Sequence, residues 1–487
     1  MAGKKTSLGK NAIFNLLYQV VNMVFPLISA SYVARVLSPA GVGEVSYAQN
    51  IVSYFVMFAA LGIPQHGVRV IARCKEDPLT SDRAFSELVA LNAVSTAICT
   101  AAYFVSVFLL FRQNFLLHLV FGLELVFNFI NIDWMYQGRE EYTYISLRNI
   151  LVKLLSLALL FLLVKERSDY ILYAVIVCLG HGCNYIFNVL HLRGRVRFTL
   201  QGLQIRRHLQ PVFVFMLSGI ASSLYSKVDI TMLGQMAQKE DVGFYTNAFK
   251  LIGVAIAAAT SLSAVFLPRL SSVYADDRKA YGDYVSAGLK MLLLLAVPCC
   301  FGLAVVAKEL TLVLFGEEFL PAARTLRILA PLILIRGIGD LLCYQVMVSS
   351  GNERKFVRAY LLASAVNILL NAVLIPRFQH NGAAFASVVS ELTVNGVLLL
   401  HSLRIVRPKV ERRFLFSVLA GVLVMLPLAE TLRNVFESPP LSLAAAVIAG
   451  AIGYFIAAWL CGNEILHAAA GKLGSKLKKK LRRSGYE

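Results

Sequence analysis

Eleven ionisable side chains stand out inside the apolar runs of this sequence: the cations Arg35, Arg148, Lys153, Lys227, Lys250, Lys290 and Arg336, and the acids Glu124, Asp229, Asp340 and Glu391. A charge at the centre of a bilayer costs about 2.5–3.5 kcal/mol on insertion scales, so one retained there faces a polar interior or a partner. Arg35 and Arg148 lie near the ends of their runs, where long side chains can snorkel to the interface. Lys153, Lys227, Lys250 and Arg336 lie deeper, and are expected to line a cavity that attracts an anion. Arg336 and Asp340 are one helical turn apart and can pair. Asp229 is two residues from Lys227, so the two face different sides of a helix.

Other chemistries find no support in the residue pattern. The eight cysteines contain no CxxC pair, and the histidines are scattered, so no metal site or disulfide framework is expected. A Gly-rich loop ending in Lys and Ser or Thr is missing, so ATP hydrolysis is not expected. Neither a catalytic residue nor a cofactor is assigned.

The elements that must carry these charges are membrane helices. Hydrophobic residues make up 58% of the 487 and charged residues 15%, against roughly 45–50% and 25% in an average soluble domain. Apolar runs predict about fourteen spans, at 11–36, 44–66, 84–111, 114–137, 143–164, 169–192, 208–233, 243–266, 282–306, 325–349, 356–376, 381–404, 412–430 and 440–461. With the N-terminus inside, the inner segments carry 31 Lys and Arg and the outer loops 9. That bias places both termini in the cytoplasm. The net charge of +19 is therefore a matter of topology, and nucleic acid is not an expected partner.

An internal repeat is visible. Val42–Gly43 recurs as Val242–Gly243, Ala48 as Ala248, Pro64 as Pro268, and Gly138 with Glu140 as Gly351 with Glu353. The alternative is coincidence among Gly and Pro at loop ends. The economical reading is an all-α integral membrane protein with two pseudo-symmetric six-helix lobes, 1–207 and 208–404. Spans 13 and 14 and a basic tail follow in 405–487. Even-numbered repeats enter from the same side, and two such lobes around a cavity are transporter architecture. The last two spans are expected to offer a groove for an apolar tail or to face lipid. In the tail, Leu473, Leu477 and Leu481 form a stripe among basic residues, suited to lying on an anionic leaflet.

The run NLLYQVVNMVFPLISASYVARVLSPAGVGEVSYAQNIVSYF, followed by LGIPQHGVRVIAR and by DWMYQGRE at 133–140, resembles the signature of bacterial polysaccharide-unit flippases of the Wzx type. These belong to the multidrug/oligosaccharidyl-lipid/polysaccharide exporter superfamily. Matching positions are Pro26, Tyr32, Arg35, Gly41, Gly43, Arg69, Trp134, Gln137, Gly138 and Glu140; Ser31 and Met135 depart from the pattern. The resemblance implies export of undecaprenyl-diphosphate-linked oligosaccharide repeat units across the inner membrane for cell-surface polysaccharide assembly. Membrane lipids, and the polymerase and glycosyltransferases of the same pathway, would be its partners. It also puts spans 1, 2, 7 and 8 at the lobe interface. That nominates Arg35, Arg69, Lys227 and Lys250 as diphosphate contacts, with Lys153 and Arg336 behind them. Asp229 or Asp340 would carry a coupling ion, H+ or Na+. A drug or cation antiporter of the same superfamily would favour an acid-rich cavity. A membrane glycosyltransferase or polymerase would need carboxylates in a sizeable outer loop.

Overall fold

The computed structural model describes residues 8–74, 76–112, 114–199, 202–260, 270, 273–274, 277–350 and 354–471, and among them there is no strand. The chain divides into two compact units, Met1–Thr246 and Asn247–Glu487.

Helices dominate because the apolar segments must satisfy their own backbone hydrogen bonds in hydrocarbon. Among the described residues, nine helical stretches are long and apolar enough to cross a membrane. Val24–Cys74 has 51 residues, about 75 Å of helix against a core of about 30 Å, and it is not straight. Its first helix, α1 (Leu8–Ala60), breaks at Ser38, where φ is 67° just before Pro39. Leu61 and Gly62, both with positive φ, then separate it from α2 (Ile63–Cys74). Large side chains left bare, such as Leu110 at 74% and Leu423 at 72% exposure, would be costly in water and suit a lipid-facing surface.

In the first unit, Asp77 caps α3 (Pro78–Leu110) by accepting from the Leu79 amide. The Thr80 hydroxyl beside it holds the Asp77 carboxyl below the usual carboxylate range. The expected fourth span is not one helix. It is segmented into α4 (Phe115–Phe121), α5 (Leu123–Asn128) and α6 (Asp133–Gly138), and the turn at 129–132 places Asp133 at a helix start. Next come α7 (Tyr142–Leu163), α8 (Tyr170–Leu192) and α9 (Arg206–Met236), which packs on α1 and α2. Ile71, Leu88, Trp134, Met135 and Val212 fill a core shared by α2, α3, α6 and α9.

The boundary between the units falls within α10 (Lys239–Thr260). The second unit continues with α11 (Arg278–Val305), α12 (Ala307–Phe315), α13 (Ala322–Leu329) and α14 (Leu332–Ile338). A π-helical segment, Gly339–Gln345, then leads into α15 (Val346–Ser349), so the expected tenth span is also segmented. The next helix, α16 (Arg354–Ile405), breaks at Gln379, where φ is 52°. The last two, α17 (Arg412–Arg433) and α18 (Pro439–Leu460), pack along each other around Val418, Val422, Met425 and Tyr454. The repeat positions Pro268, Gly351 and Glu353 and the tail stripe lie outside the described residues.

Candidate functional site

In the first unit the second half of α1 meets α9 through polar side chains. Lys227 Nζ donates to Ser53 Oγ at 2.7 Å. Asn50 Nδ2 donates to the Lys227 carbonyl at 3.2 Å and to Thr231 Oγ1 at 2.7 Å, and Tyr54 OH lies 3.0 Å from Thr231 Oγ1. An ammonium has three donors, and Ser53 takes one. Asp229 is buried and accepts from Tyr245 OH at 2.8 Å. As their spacing requires, Lys227 and Asp229 engage different partners.

Next to this site α1 and the start of α10 come into backbone contact. A Cβ on Gly43 would sit 1.7 Å from the Lys239 carbonyl oxygen, and one on Gly243 would sit 2.2 Å from that of Pro39. Thr246 Oγ1 donates to Ser46 Oγ at 3.4 Å. The contacts are reciprocal. Pro39 and Lys239, Gly43 and Gly243, and Ser46 and Thr246 are each 200 positions apart, and only a residue without Cβ allows the two backbones so close.

The remaining expected cations are dispersed. Arg35 is exposed on α1. Arg69 is exposed on α2, its guanidinium 4.7 Å over the Phe215 ring; Phe215 is about 18 Å along α9 from Lys227. Lys153 lines a cavity of 160 Å³ with Ser29, Ser156, His181 and Asn184, and its Nζ is 5.5 Å from the Phe25 ring.

In the second unit Lys250 is exposed, with Nζ 3.4 Å from Asn247 Oδ1. Arg336 on α14 lies 5.3 Å over the ring of Phe249, the neighbour of Lys250, and its Nε donates to Glu391 Oε1 at 2.5 Å. Asp340 accepts from Gln345 Nε2 at 3.0 Å within the π-helical segment. The structure thus groups Lys227 with Asp229 in one unit, and Lys250 with Arg336 in the other.

Two embedded cations have other duties. Arg148, read from the sequence as able to snorkel, is instead buried. It forms an ion pair with Asp133 at 3.0 Å and hydrogen bonds to Asn184 and Asn188, because segmentation of the fourth span leaves Asp133 beside it. Lys290 pairs with Glu411 and with Glu464 at 2.6 Å, and holds the Glu411 carboxyl below the usual range.

One cluster escaped the sequence reading: Glu87, fully buried at the start of α3, with Arg207, His208 and His66 around it. Glu87 falls inside the third apolar run, the signal that could have found it, while its partners stand on two other helices, α2 and α9.

The second unit also holds an apolar cavity of 660 Å³, lined among others by Leu295, Pro298, Gly302, Met425, Ala446 and Tyr454. Its lining draws on α11, α17 and α18.

Comparison with known proteins agrees with this architecture. The model of the family described as polysaccharide biosynthesis protein matches residues 8–274. An Escherichia coli (strain K12) protein named as an O-antigen transporter is 25% identical over 413 residues, covering 82% of this chain and 98% of its own. A Haloferax volcanii protein named as a low-salt glycan biosynthesis flippase, Agl15, is 27% identical over 194 residues, 38% of this chain and 39% of its own. In fold, the chain is similar to the lipid II flippase MurJ in an inward closed conformation, with a TM-score of 0.78 at 13% identity, covering 93% of this chain and all of the other. The chain belongs to the polysaccharide biosynthesis protein family and is an all-helical, multi-pass membrane protein with a transporter fold.

Proposed function

We propose that this protein is a flippase that moves undecaprenyl-diphosphate-linked oligosaccharide repeat units across the inner membrane by alternating access, for assembly of a surface polysaccharide. It is a transporter, not an enzyme. The observation that carries this reading is the coexistence of a cationic polar site within apolar helices, Lys227 on Ser53, with an apolar cavity of 660 Å³. A prenyl diphosphate needs both. Its head group carries about two negative charges and cannot cross hydrocarbon unassisted, whereas its tail is at home in an apolar groove.

Lys227 and Lys250 are the leading diphosphate contacts, with Arg35, Arg69, Lys153 and Arg336 as further cations on the route. Asp229 balances charge in the empty site or holds a coupling ion, H+ or Na+, with Asp340 as the second candidate. The reciprocal contacts of Gly43 and Gly243 and the interruption of both the fourth and the tenth span support the repeat from which two lobes, 1–207 and 208–404, are proposed. Spans 13 and 14, in 405–487, would complete a set of fourteen. The charge bias puts both termini in the cytoplasm, next to the glycosyltransferases that build the substrate, while the polymerase would receive it outside.

Deletion of the gene tests the proposal. Lipid-linked repeat units should accumulate in the inner leaflet, and drug sensitivity should be unchanged. Drug sensitivity without such accumulation would overturn it.

A further inference from the structure

The buried cluster at the start of α3 takes no part in the site above. Glu87 is 0% exposed, His208 4% and His66 8%. Glu87 Oε1 accepts the Gln204 amide at 2.7 Å. Its Oε2 accepts Arg207 Nη2 at 2.5 Å, Arg207 Nε at 2.9 Å and His208 Nε2 at 2.8 Å. Arg83 Nε stands 3.5 Å from Oε1. On its far side, His208 Nδ1 lies 2.8 Å from His66 Nε2.

A carboxylate only accepts, so His208 carries its hydrogen on Nε2 and leaves Nδ1 bare. His66 must then donate from Nε2, which leaves its own Nδ1 as the open end of the chain. A proton added there converts His66 to an imidazolium, whose Nε2–H can pass to His208 Nδ1. His66 is then neutral with its hydrogen on Nδ1, and the charge rests on His208 against Glu87. Among the described residues no three His, Cys, Asp or Glu side chains are grouped to hold a metal ion, and each inner nitrogen is already committed to the other ring. The ligand that fits is a proton.

We propose that Glu87, His208 and His66 form a proton-binding site, separate from Asp229 and Asp340, whose occupancy frees the first turn of α9 from α3. In the unprotonated state Arg207 is the counter-ion of Glu87, and with the Gln204 amide it ties the start of α9 to α3. An imidazolium on His208 replaces it. Arg207, whose side chain is 43% exposed, is then repelled toward solvent. The charged groups facing the site are Arg69 and Arg73 from α2, which act on His66, Arg83 from α3, and Arg207 with the positive end of the α9 dipole; all oppose an added positive charge, and Glu87 is the anion that offsets them. Because α9 carries Lys227 and Asp229, release of its first turn bears on the transport site; that consequence rests on the flippase reading, while proton binding does not.

Trp134 is a built-in reporter. Its ring lies 5.7 Å from that of Phe85 and packs on Gly67, the residue after His66. Trp459→Phe removes the other tryptophan. Fluorescence of the full-length Trp459→Phe protein in nanodiscs should change reversibly, with the slope of one proton, on acidification from about pH 6 to about pH 3. A His66→Gln, His208→Gln variant keeps a donor and an acceptor at each position and should lose the transition. Glu87→Gln removes the carboxylate that faces the imidazolium and should shrink the fluorescence change over the same range. A flat parent titration, or a double-histidine variant that titrates like the parent, would overturn the site. In proteoliposomes loaded with undecaprenyl-diphosphate-linked oligosaccharide, the parent rate should change about threefold or more over the range of the transition and the double variant's should not. A pH-independent parent rate would overturn the link to transport. No flipping at any pH with an intact fluorescence transition would overturn the flippase reading and support the proton site.

Discussion

The polar site around Lys227 and the cavity between α11 and the α17–α18 pair are opposite in chemistry although the sequence around both is apolar. At the first, Ser53, Asn50, Tyr54 and Thr231 bring hydroxyl and amide groups to a lysine within the membrane. At the second, Gly302, Ala446 and Met425 leave room without offering a charge. Under the proposed flippase function the two ends of an amphiphile would be met by different means: fixed hydrogen-bonding charge for one, shaped empty volume for the other.

The sharpest way to break that comparison is to remove the charge. A hydrogen bond to a charged group is worth about 1.5–3 kcal/mol, so Lys227→Ala with Lys250→Ala should lower the flipping rate by a factor of about 100 or more. Exchange of both for Arg should retain part of the rate, since either cation can meet a phosphate. Initial rates in proteoliposomes at matched protein content measure both.

Filling the cavity is the second test. Gly302 has only Met425 near its vacant Cβ position, at 3.8 Å, so Gly302→Leu places a side chain in the open volume. Overpacking costs about 1–3 kcal/mol, and transport of an undecaprenyl-linked substrate should fall about tenfold. A short-prenyl analogue should be nearly unaffected. Equal loss for both chain lengths would disconnect the cavity from the tail.

How much of this could be read from residues alone differed between the two regions. Lys227, Asp229 and Lys250 were legible because a charge inside an apolar run is anomalous by itself. The matched glycines were legible as a repeat, but their role was not, since only the fold reveals that Gly43 and Gly243 meet reciprocal backbone oxygens. Glu391 stood out as an embedded acid, yet its bond to Arg336 joins residues 55 positions apart, a separation that helical periodicity does not reach. Arg148 was misjudged because hydropathy alone does not reveal that the fourth span breaks and presents Asp133. The Glu87 cluster went unread because its members come from three separate segments.

A third test addresses the backbone contact next to the polar site. Gly243→Ala puts a methyl 2.2 Å from the Pro39 oxygen, which backbone cannot yield to cheaply. It should shift the conformational balance by about 1–3 kcal/mol away from the contact, read as increased thiol labelling of a cysteine at Ser46. The smallest effect is expected at the tail: truncation after Ala470 should leave transport within about twofold, because leaflet anchoring of about 1 kcal/mol per basic residue adds to that of many spans. Loss of activity at normal expression and topology would make the tail a functional part.

The central claim is tested most directly by reconstituting the full-length protein in vesicles with undecaprenyl-diphosphate-linked oligosaccharide in the inner leaflet. Its arrival outside is then followed with an impermeant glycosidase. The account predicts that the sugar becomes accessible in vesicles containing the protein, not in empty ones, and hardly at all with the Lys227→Ala, Lys250→Ala variant. Equal accessibility in empty vesicles and in those containing folded protein, or normal transfer by the double variant, would contradict it.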